Sequence, residues 1–230
     1  MSPSESIESL NDCFELLKIK LIEYLKTIDC KKINYGIQNL LNLNSLSNKE
    51  IKEPRTFLII NFNYTNTIEK YLNFEWPEDG IGLKYELLHI HGKVSEEKKY
   101  PIIFGYGDET DKYFSLLEEL DNHQFVKYFK SDGYGLSPNY RIVSKFIDTT
   151  EYEVHVLGHS CGSSDRVLLK AIFDNPRCME IKIFHHKRED FTTDFIEIYR
   201  NISRCFSVDN RHAFKGKTIN YIERNHLPQY

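Results

Sequence analysis

"VHVLGHSCGSSD", residues 154–165, runs from an apolar strand pattern straight into a tight polar turn. Within it, Gly158-His159-Ser160-Cys161-Gly162 fits G-x-S-x-G, the nucleophile elbow of serine hydrolases. The same letters fit a nucleotide-binding turn at the end of a parallel strand. Either Ser160 is a nucleophile, or the loop holds ribose and phosphate. An elbow needs an acid and then a histidine behind the serine, on separate loops. Here Asp165 and Asp174 crowd the turn and its helix, and His185 and His186 precede most later acids. A serine hydrolase acting through GHSCG therefore stands as an alternative and not as the first reading.

Outward from this turn, short apolar runs alternate with helical patterns. "TFLIINF" (56–62), "YELLHIHG" (85–92), "YPIIFGYG" (100–107), "YEVHVLG" (152–158) and "MEIKIFHH" (179–186) read as strands, with "GKTINYIE" near the C-terminus as a last one. Residues 111–131, 139–148, the segment "DRVLLKAIF" and residues 189–204 read as helices. Strands alternating with helices predict an α/β fold: a three-layer, mostly parallel sheet flanked by helices, Rossmann-like in kind. Before it, Ser2-Pro3-Ser4-Glu5 offers a cap, a first-turn proline and a capping-box acid. Ile7, Leu10, Phe14, Leu17, Leu21 and Leu25 then recur at helical spacing and predict a helix over 3–28. The expected organisation is a helical arm and linker over 1–54, ending at Pro54, and an α/β domain over 55–230.

With 230 residues, 40% hydrophobic and 28% charged, the chain can bury a sizeable core beneath a solvated surface. A net charge of −4 gives no electrostatic case for nucleic acid or an anionic membrane as partner. The polar, acidic start is no signal peptide and no apolar run is long enough to span a bilayer, so a cytoplasmic protein is expected. Cys13, Cys30, Cys161, Cys178 and Cys205 are odd in number, widely spaced and free of C-x-x-C, which fits reduced thiols and no zinc framework. His89 and His91 alternate onto one strand face, but two ligands without a nearby acid do not make a metal set, so no metal is expected. "KYFK" (127–130) and "HHKRED" (185–190) read as solvated charge. The N-terminal helix suits packing or pairing with a second copy, which makes a homo-oligomer an expectation.

In open α/β sheets, ligands bind at the carboxyl ends of the strands. Three such turns carry Asn61, Asn63, Thr65 and Asn66, then His91 and Gly92, then Gly158, His159, Ser160 and Asp165. None of the three contains Lys or Arg, which points to ribose-centred rather than phosphate-centred recognition. Asn63 and Asn66 equally suit the capping of the helix that follows the first strand.

The series "FNYTNTIEKYL" (62–72), "IHG" (90–92), "IFGYG" (103–107) and "HVLGHSCGSSD" (155–165) resembles the AbiH family of bacterial abortive-infection, phage-resistance proteins. The resemblance covers residues 55–205 and, more distantly, is similar to sirtuin-like NAD-binding domains. It implies a phage-defence protein with NAD as nucleotide ligand and an NAD glycohydrolase activity, or else a non-catalytic nucleotide-sensing or protein-interaction module on the same fold. It implies catalytic roles for Asn63, orienting ribose and water, and for His91, as general base on a hydroxyl. It places Asn61, Thr65, Gly92, Gly158, His159, Ser160 and Asp165 around the nucleotide. Thr65 stands where related proteins often carry an aspartate. Such families open with a strand and a glycine-rich turn of the "GNGFD" kind that receives phosphates. Nothing of that kind precedes Arg55, so the expectation is a truncated member or a reassigned nucleotide site. Neither Asn63 nor His91 belongs to the apolar pattern, and the core is expected to tolerate the loss of either.

Overall fold

A computed structural model describes residues 3–28, 33–41, 56–72, 84–107, 109 and 113–228. Residues 42–55, the predicted linker, lie outside them. Helix α1 (Pro3–Thr27) and helix α2 (Tyr35–Leu41) come first. Asn34 caps α2, its Oδ1 accepting from the amides of Gly36 and Ile37 at 2.9 and 3.2 Å. On the inward face of α1, Phe14 packs against Phe104, Tyr106 and Tyr128 with centroids 4.9, 5.6 and 4.6 Å apart. Beside it the Asn11 amide donates to the backbone and side chain of Gln124, both at 2.9 Å.

Strand β1 (Thr56–Asn61) leads through a tight turn into α3 (Thr67–Leu72) and pairs in parallel with β2 (Lys84–His89). In register, Thr56 lies opposite Lys84 and Asn61 opposite His89. After α4 (Phe114–Glu119) and the short α5 (Lys130–Gly133), helix α6 (Asn139–Thr149) delivers β3 (Tyr152–Leu157). Strand β3 pairs in parallel with β4 (Cys178–Phe184), reached through α7 (Arg166–Phe173). Helices α8 (Phe195–Ser203) and α9 (Arg211–Lys217) then pack on β4. The described residues thus form a mixed α/β fold with two parallel strand pairs. A common apolar cluster joins the pairs: Leu88 of β2, Val156 of β3, Ile181 and Ile183 of β4, with Val143, Leu168, Ile172 and Ile202 from the helices. Burying one such side chain contributes roughly 1.5–3 kcal/mol, so this cluster dominates the stability.

Four predicted elements differ. Residues 100–107 make no strand; a single parallel bridge links Tyr106 to Phe129. At Gly105 a Cβ would sit 2.2 Å from the Tyr128 carbonyl oxygen, so the chain is pressed onto 128 and bent away from a ladder. The apolar Ile102 and Ile103 of this stretch are buried in a loop. The helix predicted over 111–131 is broken: Asp121 turns left-handed at φ 48°, and Asn122 caps a separate 3-10 turn at His123–Phe125; residues 111 and 112 lie outside the description. The helix predicted from 189 starts at Phe195, because Arg188–Thr192 close a turn with Phe191 at φ 64°. The predicted last strand is the end of α9 followed by one bridge from Thr218 to Ile181. No helix among the described residues is long and apolar enough to cross a membrane.

Candidate functional site

The turns after β1, β2 and β3 meet. Phe62 sets its ring tilted 4.1 Å from that of His159 and edge-on 5.3 Å from that of His91, bringing the three strand ends together. At their centre is Asp165, buried at 5% exposure. Its Oδ1 lies 2.9 Å from His91 Nε2 and 2.8 Å from Lys130 Nζ, and accepts from the Tyr134 hydroxyl at 3.3 Å. Its Oδ2 accepts from Ser164 Oγ at 3.2 Å and lies 3.6 Å from His159 Nε2. Burial opposes ionisation of this carboxyl. The adjoining imidazoles of His159 and His91 and the charge of Lys130 outweigh it and hold the group far below the usual carboxylate range.

His91 is 3% exposed. Its Nδ1 is 3.1 Å from the Phe62 carbonyl oxygen, which can only accept, so Nδ1 carries the proton and donates. Nε2 is then the basic nitrogen. It faces Asp165 Oδ1 at 2.9 Å, close enough to share a proton with the carboxylate although the contact is off-line for an ideal hydrogen bond. Burial lowers the pKa of His91; the nearby carboxylate partly offsets this, and the Lys130 charge adds to it. Tyr64, which donates to the Ile103 carbonyl at 2.9 Å, is pushed up to about 12 by burial and by the Asp165 charge. It stays a neutral phenol at physiological pH.

A second polar cluster lies beside the first. Asn61 is buried; its Oδ1 accepts from the Asn63 amide at 3.1 Å, and its Nδ2 reaches His89 Nδ1 at 3.1 Å and the Thr65 carbonyl at 3.4 Å. The opposite face of His89, Nε2, meets Glu69 Oε1 at 3.1 Å. Lys93, buried, bonds Glu69 at 2.7 Å and makes a short contact with Glu96. This network ties the β1–α3 turn to the end of β2.

Each predicted site residue can now be placed. His91, His159 and Asp165 converge directly. Asn63 is exposed on the adjoining turn, its Nδ2 3.4 Å from Asn61 Oδ1. Thr65 bonds Thr67 at 3.0 Å. Asn61 is engaged wholly by protein groups. Gly92 sits at φ 88°, and a Cβ there would lie 2.1 Å from the Pro101 carbonyl oxygen, so the chain's own packing demands glycine. Gly158 turns at φ 66°, where a Cβ would make an ordinary 3.8 Å contact with Leu227 Cδ1. Ser160 is exposed, and its carbonyl accepts from Asn201 at 2.9 Å.

No nucleophile elbow forms here. The left-handed non-glycine residue is Cys161, at φ 52°, and not the serine. His159 spends Nδ1 on the Cys161 amide at 3.0 Å, and Asp165 is committed to His91 and Lys130.

Three expectations need correction. Lys130, read with "KYFK" as solvated charge, is buried in the centre of the site. The two aromatic residues preceding it, Tyr128 and Phe129, are buried as well and were the available signal. The histidine pair is not without acids: Glu69 from α3 serves His89 and Asp165 serves His91, so the two rings belong to separate clusters. Nor is His91 independent of the core, being packed among Phe62, Tyr64 and Tyr134.

Residues 3–186 match the family model described as bacteriophage abortive infection AbiH. No curated protein and no solved structure matches the chain.

Proposed function

The chain belongs to the bacteriophage abortive infection AbiH family, and on that premise we propose that it is a phage-defence protein whose His91–Asp165 centre handles a nucleotide, with hydrolysis of NAD as its reaction. The observation that carries this reading is the buried pairing of His91 Nε2 with Asp165 Oδ1 at 2.9 Å where the three strand-end turns meet. With Nδ1–H held by Phe62, burial lowering the pKa of the ring and the Asp165 carboxylate beside Nε2, His91 is placed to exchange a proton through Nε2. In the proposed reaction water adds across the bond between nicotinamide and ribose; nicotinamide leaves, ADP-ribose forms, and the proton released passes to Nε2. Asn63, on the next turn, presents a donor and an acceptor to orient a hydroxyl or the water. The same reading takes the two strand pairs as parts of one sirtuin-like, three-layer core spanning the domain over 55–230, with a helical arm before it.

A second reading is favoured by the closed state of the centre. Asp165 is saturated by protein donors and His91 is covered, as in a nucleotide-sensing or protein-interaction module that never turns over. The test measures NAD consumption and NAD binding by wild type, His91→Gln and Asn63→Ala, alongside melting temperatures. His91→Gln is expected to lower turnover about 100- to 10,000-fold, and Asn63→Ala comparably through lost positioning. Equal turnover in all three removes the mechanism. Binding without turnover in the wild type selects the module.

A further inference from the structure

Beyond the ring of Tyr134 lies an open groove of about 390 Å³, lined by Ser131, Ser137, Tyr140, Arg141 and Glu109. Tyr134 belongs to both places. Its hydroxyl donates to Asp165 Oδ1 at 3.3 Å, its ring stacks 6.3 Å from His91, and its other neighbour is Tyr140 at 5.5 Å. His91, Tyr134 and Tyr140 thus form a row of near-parallel rings, with interplanar angles of 14° and 25°, leading from the buried base to the groove.

The three turns at the strand ends supply no arginine, and Lys130 is spent on Asp165. The groove supplies the missing chemistry. The guanidinium of Arg141 is a planar fork that matches phosphate oxygens, and the Ser131 and Ser137 hydroxyls can donate to the same group. The Glu109 carboxylate accepts from sugar hydroxyls, and the Tyr140 ring in the groove wall offers a face to a planar base. We infer that this groove is the phosphate-bearing half of the nucleotide site: Arg141, Ser131 and Ser137 hold the phosphate of a nucleoside monophosphate moiety, and Tyr134 is the partition between it and His91. The inference rests on the nucleotide reading above and relocates the phosphate subsite from a glycine-rich turn to the α5–α6 segment.

Calorimetric or NMR titration with 5′-AMP, adenosine and inorganic phosphate tests it without reference to turnover. AMP is expected to bind more tightly than adenosine, and phosphate to compete with AMP. Arg141→Ala is expected to weaken AMP about 10- to 100-fold, the loss that follows removal of a charge-assisted partner, and to leave adenosine unchanged. Arg141→Lys is expected to recover part of the loss, since charge remains without the fork. Equal binding of AMP and adenosine, no binding of AMP, or undiminished AMP binding by a folded Arg141→Ala protein would overturn the inference. Discrimination through Arg141 in a protein that never consumes NAD would uphold the groove while the hydrolase reading fails.

Discussion

His91 and Asp165 set how the protein responds to acid. Burial lowers the pKa of His91 below the ordinary 6.5, so the unfolded chain takes up a proton there that the folded chain refuses. The stability this provides is present above the unfolded value and drains as pH falls through the window beneath it. Asp165, depressed by its cationic partners against the pull of burial, contributes stability that is present above about pH 4 and is lost on further acidification. Both signs agree. The melting temperature should fall from pH 7 to pH 5, and His91→Gln should flatten that fall. His155, lowered by burial and by the Lys182 charge, titrates in the same window, so the difference between wild type and variant is the quantity to measure. An unchanged slope in the variant would sink the assignment of His91. Lys130→Met is expected to be more damaging than removal of the exposed Lys127, because it leaves a buried carboxylate short of a cation; about 3 kcal/mol or more is the usual scale, read from denaturant unfolding.

Gly92 belongs to this scale too. Gly92→Ala must bear a left-handed backbone and drive Pro101 aside. The backbone conformation alone costs about 1–3 kcal/mol, and the carbonyl contact adds to it. A melting temperature within a degree of wild type would contradict the packing described here.

Among the elements, α1 is held by an aromatic contact and by polar ties. Phe14 enters an aromatic nest formed by Phe104, Tyr106 and Tyr128, and Asn11 and Glu15 add polar ties to Gln124 and Tyr128. Phe14 is only half-buried, so Phe14→Ala should cost less than the 3–5 kcal/mol of a fully buried ring, on the order of 2 kcal/mol. The loss should be local. Amide exchange along α1 should accelerate while β3 and β4 stay protected, because the strands bury their apolar residues elsewhere. Uniform acceleration would show that α1 is integral to the core.

At the scale of the molecule, two strand pairs share one apolar cluster, and this predicts cooperative unfolding. Leu168→Ala, at a site 1% exposed on α7, should cost about 2–5 kcal/mol. Exchange protection in β2 and β4 should fall together, and separate transitions for the two pairs would refute a common core.

The sequence by itself determined the four strands, since each is a short apolar run bounded by polar turns, and it determined the helical nature of α1, α6 and α7 through their spacing. It also marked the three turns that meet, because parallel strands carry their carboxyl ends to one side. Local pattern could not decide whether Ile102 and Ile103 are buried by a ladder or by a loop; burial alone makes them apolar, and the close approach of Gly105 and Tyr106 to Tyr128 and Phe129 decided the rest. It could not place Lys130 or Tyr134 beside Asp165, which follows them by 35 and 31 positions. A charged residue in sequence looks solvated by default, and only the tertiary structure, by burying a carboxylate that requires a counter-charge, turns that lysine inward.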